Sequence, residues 1–176
     1  MWNRTEMLLL LIGLCWIAPF VSMEATIITD DVILSNINKN YVNPEDCSTS
    51  VVEEDNDWPV VDVNLAVIQD IPCSTMINFQ LLEYSEGDYT LETGIEFSQT
   101  IENFLTDKSL VGPVLKAFDI TTCPITPGLY KMENFRFESN AMTNFPIGEF
   151  KALVQVTSPD NEELFTLEVF CNIDKL

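Results

Sequence analysis

The stretch Phe165-Thr166-Leu167-Glu168-Val169-Phe170-Cys171-Asn172-Ile173 sets Phe165, Leu167, Val169, Cys171 and Ile173 on one side of the chain. Thr166, Glu168 and Asn172 fall on the other. A period of two is that of a strand with one face on a core and one in water. Working back toward the N-terminus, Ser158-Pro159-Asp160-Asn161 is a turn signal. Before it, Phe150, Ala152, Val154 and Val156 alternate with Glu149, Lys151 and Gln155. A further strand is expected over Leu129 to Phe137, after the Pro127-Gly128 turn.

The first half repeats the pattern. Val61, Val63, Leu65 and Val67 alternate with Asp62, Asn64 and Ala66, and Ile71-Pro72 ends the run. Strands over Met76 to Tyr84 and from Tyr89 to Phe97 flank Glu86-Gly87-Asp88, which predicts an antiparallel hairpin. In the second of these, Tyr89, Leu91, Thr93, Ile95 and Phe97 are expected on one side. Between Ser98 and Phe118 the spacing changes: Ile101, Phe104 and Leu105, then Val114, Leu115 and Phe118, recur at helical intervals. A short helix over Gln99 to Thr106 is expected, then an apolar loop or a second turn of helix, with Gly112-Pro113 interrupting the helical spacing. Many short strands with one short helix predict a mostly β chain, a two-sheet β-sandwich or cup.

The N-terminus reads as an address. Arg4 precedes an apolar run from Leu8 to Phe20, with small or polar residues around Ser22. That is the layout of a secretory signal peptide over residues 1–22, and it places the product outside the cell. Residues 23–59 are poorly patterned, although Met23 to Ile37 has room for one strand. The β domain is expected over residues 60–176.

Composition narrows the partners. The formal net charge is -20. Such a chain repels nucleic acid and anionic membrane surfaces. Four cysteines remain after the signal, Cys47, Cys73, Cys123 and Cys171. An even number in an oxidising compartment reads as two disulfides, with three pairings open.

Chemistry is scarce. The chain has no histidine. Ser-His-Asp and Cys-His catalysis are thereby excluded, and so are the usual ligands of catalytic zinc. The acidic run Glu53-Glu54-Asp55-Asn56-Asp57 lacks the spacing of a calcium loop. Glu92 and Glu96 lie on the polar side of a strand, as a solvated face would. No catalytic residue, metal or cofactor is expected, and the chain reads as a binding protein rather than an enzyme.

Apolar side chains outside regular strands are the more informative feature. Phe104, Leu105, Leu115 and Phe118 sit on the helix-loop segment. Met142, Phe145 and Ile147 sit on a loop, with Phe150 on the strand after it. Apolar residues at the mouth of a sandwich suit the entrance of a site for an apolar ligand.

The order of features from about Val60 onward resembles the MD-2-related lipid-recognition superfamily, closest to its insect branch of GM2-activator-like proteins (the CheB and DUF1091 group). Cys123-Pro124-Ile125-Thr126-Pro127-Gly128-Leu129-Tyr130 is similar to the family's Cys-Pro, spacer, Gly, aromatic signature. Phe145-Pro146-Ile147-Gly148-Glu149-Phe150-Lys151 resembles its Pro-x-Gly-x-aromatic lead into the next strand. Glu163 to Val169 matches the closing strand, and Ile101 to Leu105 resembles the helix before the Cys-Pro loop. The resemblance implies a β-cup with an apolar cavity between its sheets and no catalysis. It implies a lipid or other hydrophobic small molecule as ligand and a role in pheromone-related chemosensation. By analogy with some relatives, the preferred pairing is Cys47–Cys171 with Cys73–Cys123. The alternative reading is a secreted interaction module without a cavity, acting on a membrane receptor or channel through its acidic surface.

Overall fold

The computed structural model describes residues 25–53, 58–107, 111–137 and 145–175. The signal peptide expected over residues 1–22 and Met142 lie outside them. The described strands are β1 (Ala25–Ser35), β2 (Ser48–Val52), β3 (Val60–Val67), β4 (Met76–Ser85), β5 (Asp88–Thr100), β6 (Gly128–Phe135), β7 (Gly148–Thr157) and β8 (Glu163–Lys175). They form two antiparallel sheets, one ordered β1-β8-β7-β4-β5 and the other β2-β3-β6. Two short helices, α1 (Ile101–Thr106) and α2 (Val111–Ala117), lie between β5 and β6. The fold is a mostly β sandwich.

The period-two residues face where their alternation predicts. On β8, Leu167, Val169, Cys171 and Ile173 are buried. On β3 the same holds for Val61, Val63, Leu65 and Val67. Leu167, Val169 and the four β3 residues form one core between the sheets with Ile77, Met132 and Val156. Phe79, Leu81, Phe150, Cys171 and Ile173 form a second, smaller cluster. The β4–β5 hairpin turns through Glu86 (φ 55°) and Gly87 (φ 97°). Two consecutive positive φ angles give the turn whose twist matches paired strands, and glycine supplies the second at little cost.

The expected start of the β domain at residue 60, the single buried face of β5 and the Cys47–Cys171 pairing are corrected. Residues before 60 are not an appendage to the sheets. β1 pairs with β8 from Ala25↔Lys175 to Ser35↔Thr166, and β2 pairs with β3, so this segment adds an edge strand to each sheet. Its pattern is concealed by a bulge: the β1 register shifts between Thr29 and Asp31, and an extra residue inverts the alternation from that point on.

β5 is interrupted in the same way. Its pairing with β4 shifts twice, and Leu91 is 50% exposed while Ile95 and Phe97 are half-buried. Its five apolar-side positions therefore do not share one buried face.

Of the apolar loop or second turn of helix expected after α1, the helix forms, as α2, with Gly112-Pro113 inside it. Pro113 falls in the first turn of α2, where a missing N–H leaves no helical hydrogen bond unmade. A Cβ on Gly112 would stand 2.0 Å from the Asp107 carbonyl oxygen, so only glycine admits this close packing of α2 on the end of α1.

The helix pair is tied to the sheets at its base. Thr100 caps α1, its hydroxyl accepting from the Asn103 N–H at 3.4 Å. The Ile101 N–H donates to the Thr75 carbonyl at 2.9 Å, and Ile71 and Ile125 exchange both backbone hydrogen bonds at 2.9 Å. Beside that bridge Cys73 and Cys123 are joined, with Cα atoms 5.2 Å apart.

The Cys47–Cys171 bridge does not form, and both thiols are free. Cys47 precedes β2 in the three-stranded sheet, where its Sγ donates to the Asn43 carbonyl at 3.2 Å and accepts from the Ala66 N–H at 3.4 Å. Cys171 belongs to the five-stranded sheet, opposite Phe150 and within the smaller cluster. A bridge needs Cα atoms within about 7 Å and converging side chains. Each thiol instead packs in its own environment.

Candidate functional site

The inner faces of the two sheets leave two cavities. The first, about 60 Å³, is lined by β1, β4, β7 and β8 residues including Ile27, Phe79, Val169 and Ile173, with Met132 and Phe145. The second, about 70 Å³, lies toward the Cys73–Cys123 end, among Ile71, Ile77, Leu115, Phe118, Ile120 and Ile125. Every lining side chain of both is apolar or, at Cys171, a thiol. Val111, Val114, Val154 and Leu167 line both. The two spaces are thus adjacent, separated by these side chains of α2, β7 and β8.

The sequence-expected entrance residues separate on this map. Leu115 and Phe118 line the cavity near the disulfide, and Phe145 lines the other. Phe104 is fully buried beside Phe97, ring centroids 6.0 Å apart, and lines neither. Leu105 packs half-buried against the main core. Phe150 is fully buried within the smaller cluster, and Ile147 is 53% exposed on the turn before β7. Most of the lining comes from strand residues, Val32, Val154, Leu167 and Val169 among them. Their alternation marks them as inward-facing; only the spacing of the opposed sheets shows which of them border open space.

The electrostatics suit an apolar interior. Burial, with a smaller contribution from the Asp30 carboxylate, pushes the Cys171 thiol up from 9.0 to about 12. The neutral thiol is therefore the form that the fold accommodates. Stability contributed by this group is fully present below pH 9 and is lost as the pH rises through 9 toward about 12. In native protein at pH 8 a maleimide is expected to label the half-buried Cys47 and leave Cys171 unmodified until urea is added. Peptide mapping after labelling checks this, and rapid native labelling of Cys171 would contradict its burial. Asp30, on the β1 bulge, is itself raised, first by burial and then by Glu149, while the Asn172 amide donating to it at 2.9 Å works the other way. Among the described residues no cluster of three or more Asp, Glu or Cys side chains is arranged to hold a metal ion.

Comparison with known proteins gives little. No protein-family model matches the sequence. No curated protein matches it either. Among solved structures the chain is similar to chicken MD-1 complexed with lipid IVa, at 12% identity and a TM-score of 0.39, over 85% of this chain and 97% of that one.

Proposed function

We propose that this chain is a secreted, non-enzymatic binding protein that holds a lipid or other apolar small molecule between its two sheets. The observation that carries this reading is the adjacent pair of apolar cavities, divided by Val111, Val114, Val154 and Leu167. Unfilled apolar volume of this size costs on the order of 1–2 kcal/mol for each cavity, and an acyl chain placed there would recover it. Each buried methylene contributes about 0.8 kcal/mol. Cavities of about 60 and 70 Å³ fall well short of the roughly 300 Å³ and above typical of ligand sites. Binding therefore requires α2 to move away from β7 and β8 and merge them. The similarity of the Cys123-Pro124 and Pro146–Gly148 segments to the MD-2-related family supports the ligand class. On the same basis we place the chain with the insect GM2-activator-like branch and give it a chemosensory role.

The small closed volume also favours a second reading, in which the sandwich is filled by its own side chains and the molecule acts on a receptor or channel. One experiment separates the two. Native mass spectrometry of protein secreted from a eukaryotic host, before and after organic extraction, is expected to show an adduct that extraction removes. A clean mass combined with no uptake of a fluorescent fatty acid would exclude the carrier reading and leave the interaction module.

A further inference from the structure

The outer face of the five-stranded sheet holds a larger hollow than its interior. A groove of about 710 Å³ runs across β5, β4, β7 and β8. This is the size of a small-molecule site, and polar and apolar groups share its walls about equally. Side-chain amides come from Asn36, Asn78, Gln80 and Gln155, and hydroxyls from Ser98 and Thr166. Leu153, Phe79 and Phe97 supply the apolar lining, and the charged groups are Glu96, Glu168 and Lys151.

The registers place these residues side by side. Gln80 stands opposite Glu96 on β5 and Leu153 on β7, while Asn78 stands opposite Ser98 and Gln155. Several are already held in position. The Ser98 hydroxyl donates to the Asn78 side chain at 2.5 Å, and the Asn78 amide donates to the Thr157 hydroxyl at 3.2 Å. Glu168 accepts from the Ser35 hydroxyl at 2.7 Å and pairs with Lys151 at 3.6 Å. Gln80 and Glu96 make no side-chain hydrogen bond to the described residues and face the groove with their polar atoms available.

We propose that this groove binds a neutral oligosaccharide. β4, β7 and β8 are flanked on both sides, so their backbone groups are used in the ladders. β5 keeps a free edge, but a ligand lying on the face of the sheet meets side chains rather than that edge. Amides and carboxylates at fixed spacing offer donors and acceptors together, and vicinal sugar hydroxyls need both.

Beyond Lys151, outside the groove's own lining, lies an aromatic group. The Lys151 ammonium lies 5.8 Å from the Phe170 ring centroid and 6.0 Å from that of Tyr89. Tyr89 in turn contacts Tyr84, which is 45% exposed, at 5.0 Å. Ring faces beside polar groups match the apolar C–H faces of a pyranose. Gln80 and Tyr84 are four residues apart on β4, about 13 Å, which spans more than one sugar ring. The net charge of -20 disfavours anionic glycans and phosphates.

The test is a titration of isotope-labelled mature protein, followed by NMR, with cellotriose, chitotriose and maltotriose in turn. At least one is expected to give saturable shifts at Gln80, Leu153 and Gln155. Gln80→Ala and Glu96→Ala, each at a surface position, are expected to weaken it by about tenfold or more with an unchanged thermal midpoint. Val114→Trp, which alters only the interior, is expected to leave it intact, so failure of the lipid reading and failure of this one are distinguishable. No shift with any trisaccharide up to about 10 mM, shifts that map elsewhere, or binding indifferent to both surface variants would overturn the proposal.

Discussion

Val114→Trp is expected to abolish uptake of a fluorescent fatty acid while the protein stays folded. Val114 projects from α2 and lines both interior cavities. An indole there fills the space that a ligand would take and fixes α2 against the sheet. Overpacking costs about 1–3 kcal/mol in a tight core, but here the added volume enters existing space and the residue is only partly buried. The affinity loss should therefore exceed about tenfold without a comparable fall in stability. Val154→Phe, from the opposite wall on β7, should act in the same direction. Fluorescence titration and thermal unfolding of both variants check this. Two folded variants that bind as the parent does would show that the interior is not the site.

Loss of the Cys73–Cys123 bond is the largest stability effect expected. The two residues are 50 apart in sequence and close a loop that contains β4, β5, α1 and α2. Closing a loop of that length in the unfolded chain is worth about 4 kcal/mol. Cys73→Ser with Cys123→Ser should lower the unfolding free energy by roughly 2–5 kcal/mol, measured by urea titration. The loss should also loosen the cavity wall at Phe118, Ile120 and Ile125, next to the bridge. A change well under 1 kcal/mol would mean that the Ile71–Ile125 pairing holds this end of the sandwich without the bond.

Local chemistry made much of the architecture legible. Phe165 to Ile173, Val61 to Val67 and Phe150 to Val156 each carry an uninterrupted period of two, and each became a strand with its apolar side inward. The β4–β5 turn at Glu86-Gly87 was equally readable, because Gly87, at φ 97°, marks it. β1 was less so, since the bulge at Thr29–Asp31 splits its pattern into two halves of opposite phase. α2 was obscured by Gly112-Pro113, a pair that ends most helices but here opens one. The candidate site followed the same division. Leu115, Phe118 and Phe145 border the interior cavities, whereas Phe104 and Phe150 have the same chemistry and are wholly enclosed by packing.

By itself the sequence determined the strand periods, the two-sheet character, the strongly acidic charge and the absence of any histidine, because each depends on residue type and near neighbours alone. The tertiary structure decided which cysteines meet, where the sheets stand far enough apart to leave a cavity, and which polar residues of four strands gather into one outer groove. Those outcomes depend on register, bulges and the separation of opposed faces, which arise between segments distant in sequence and have no local signature.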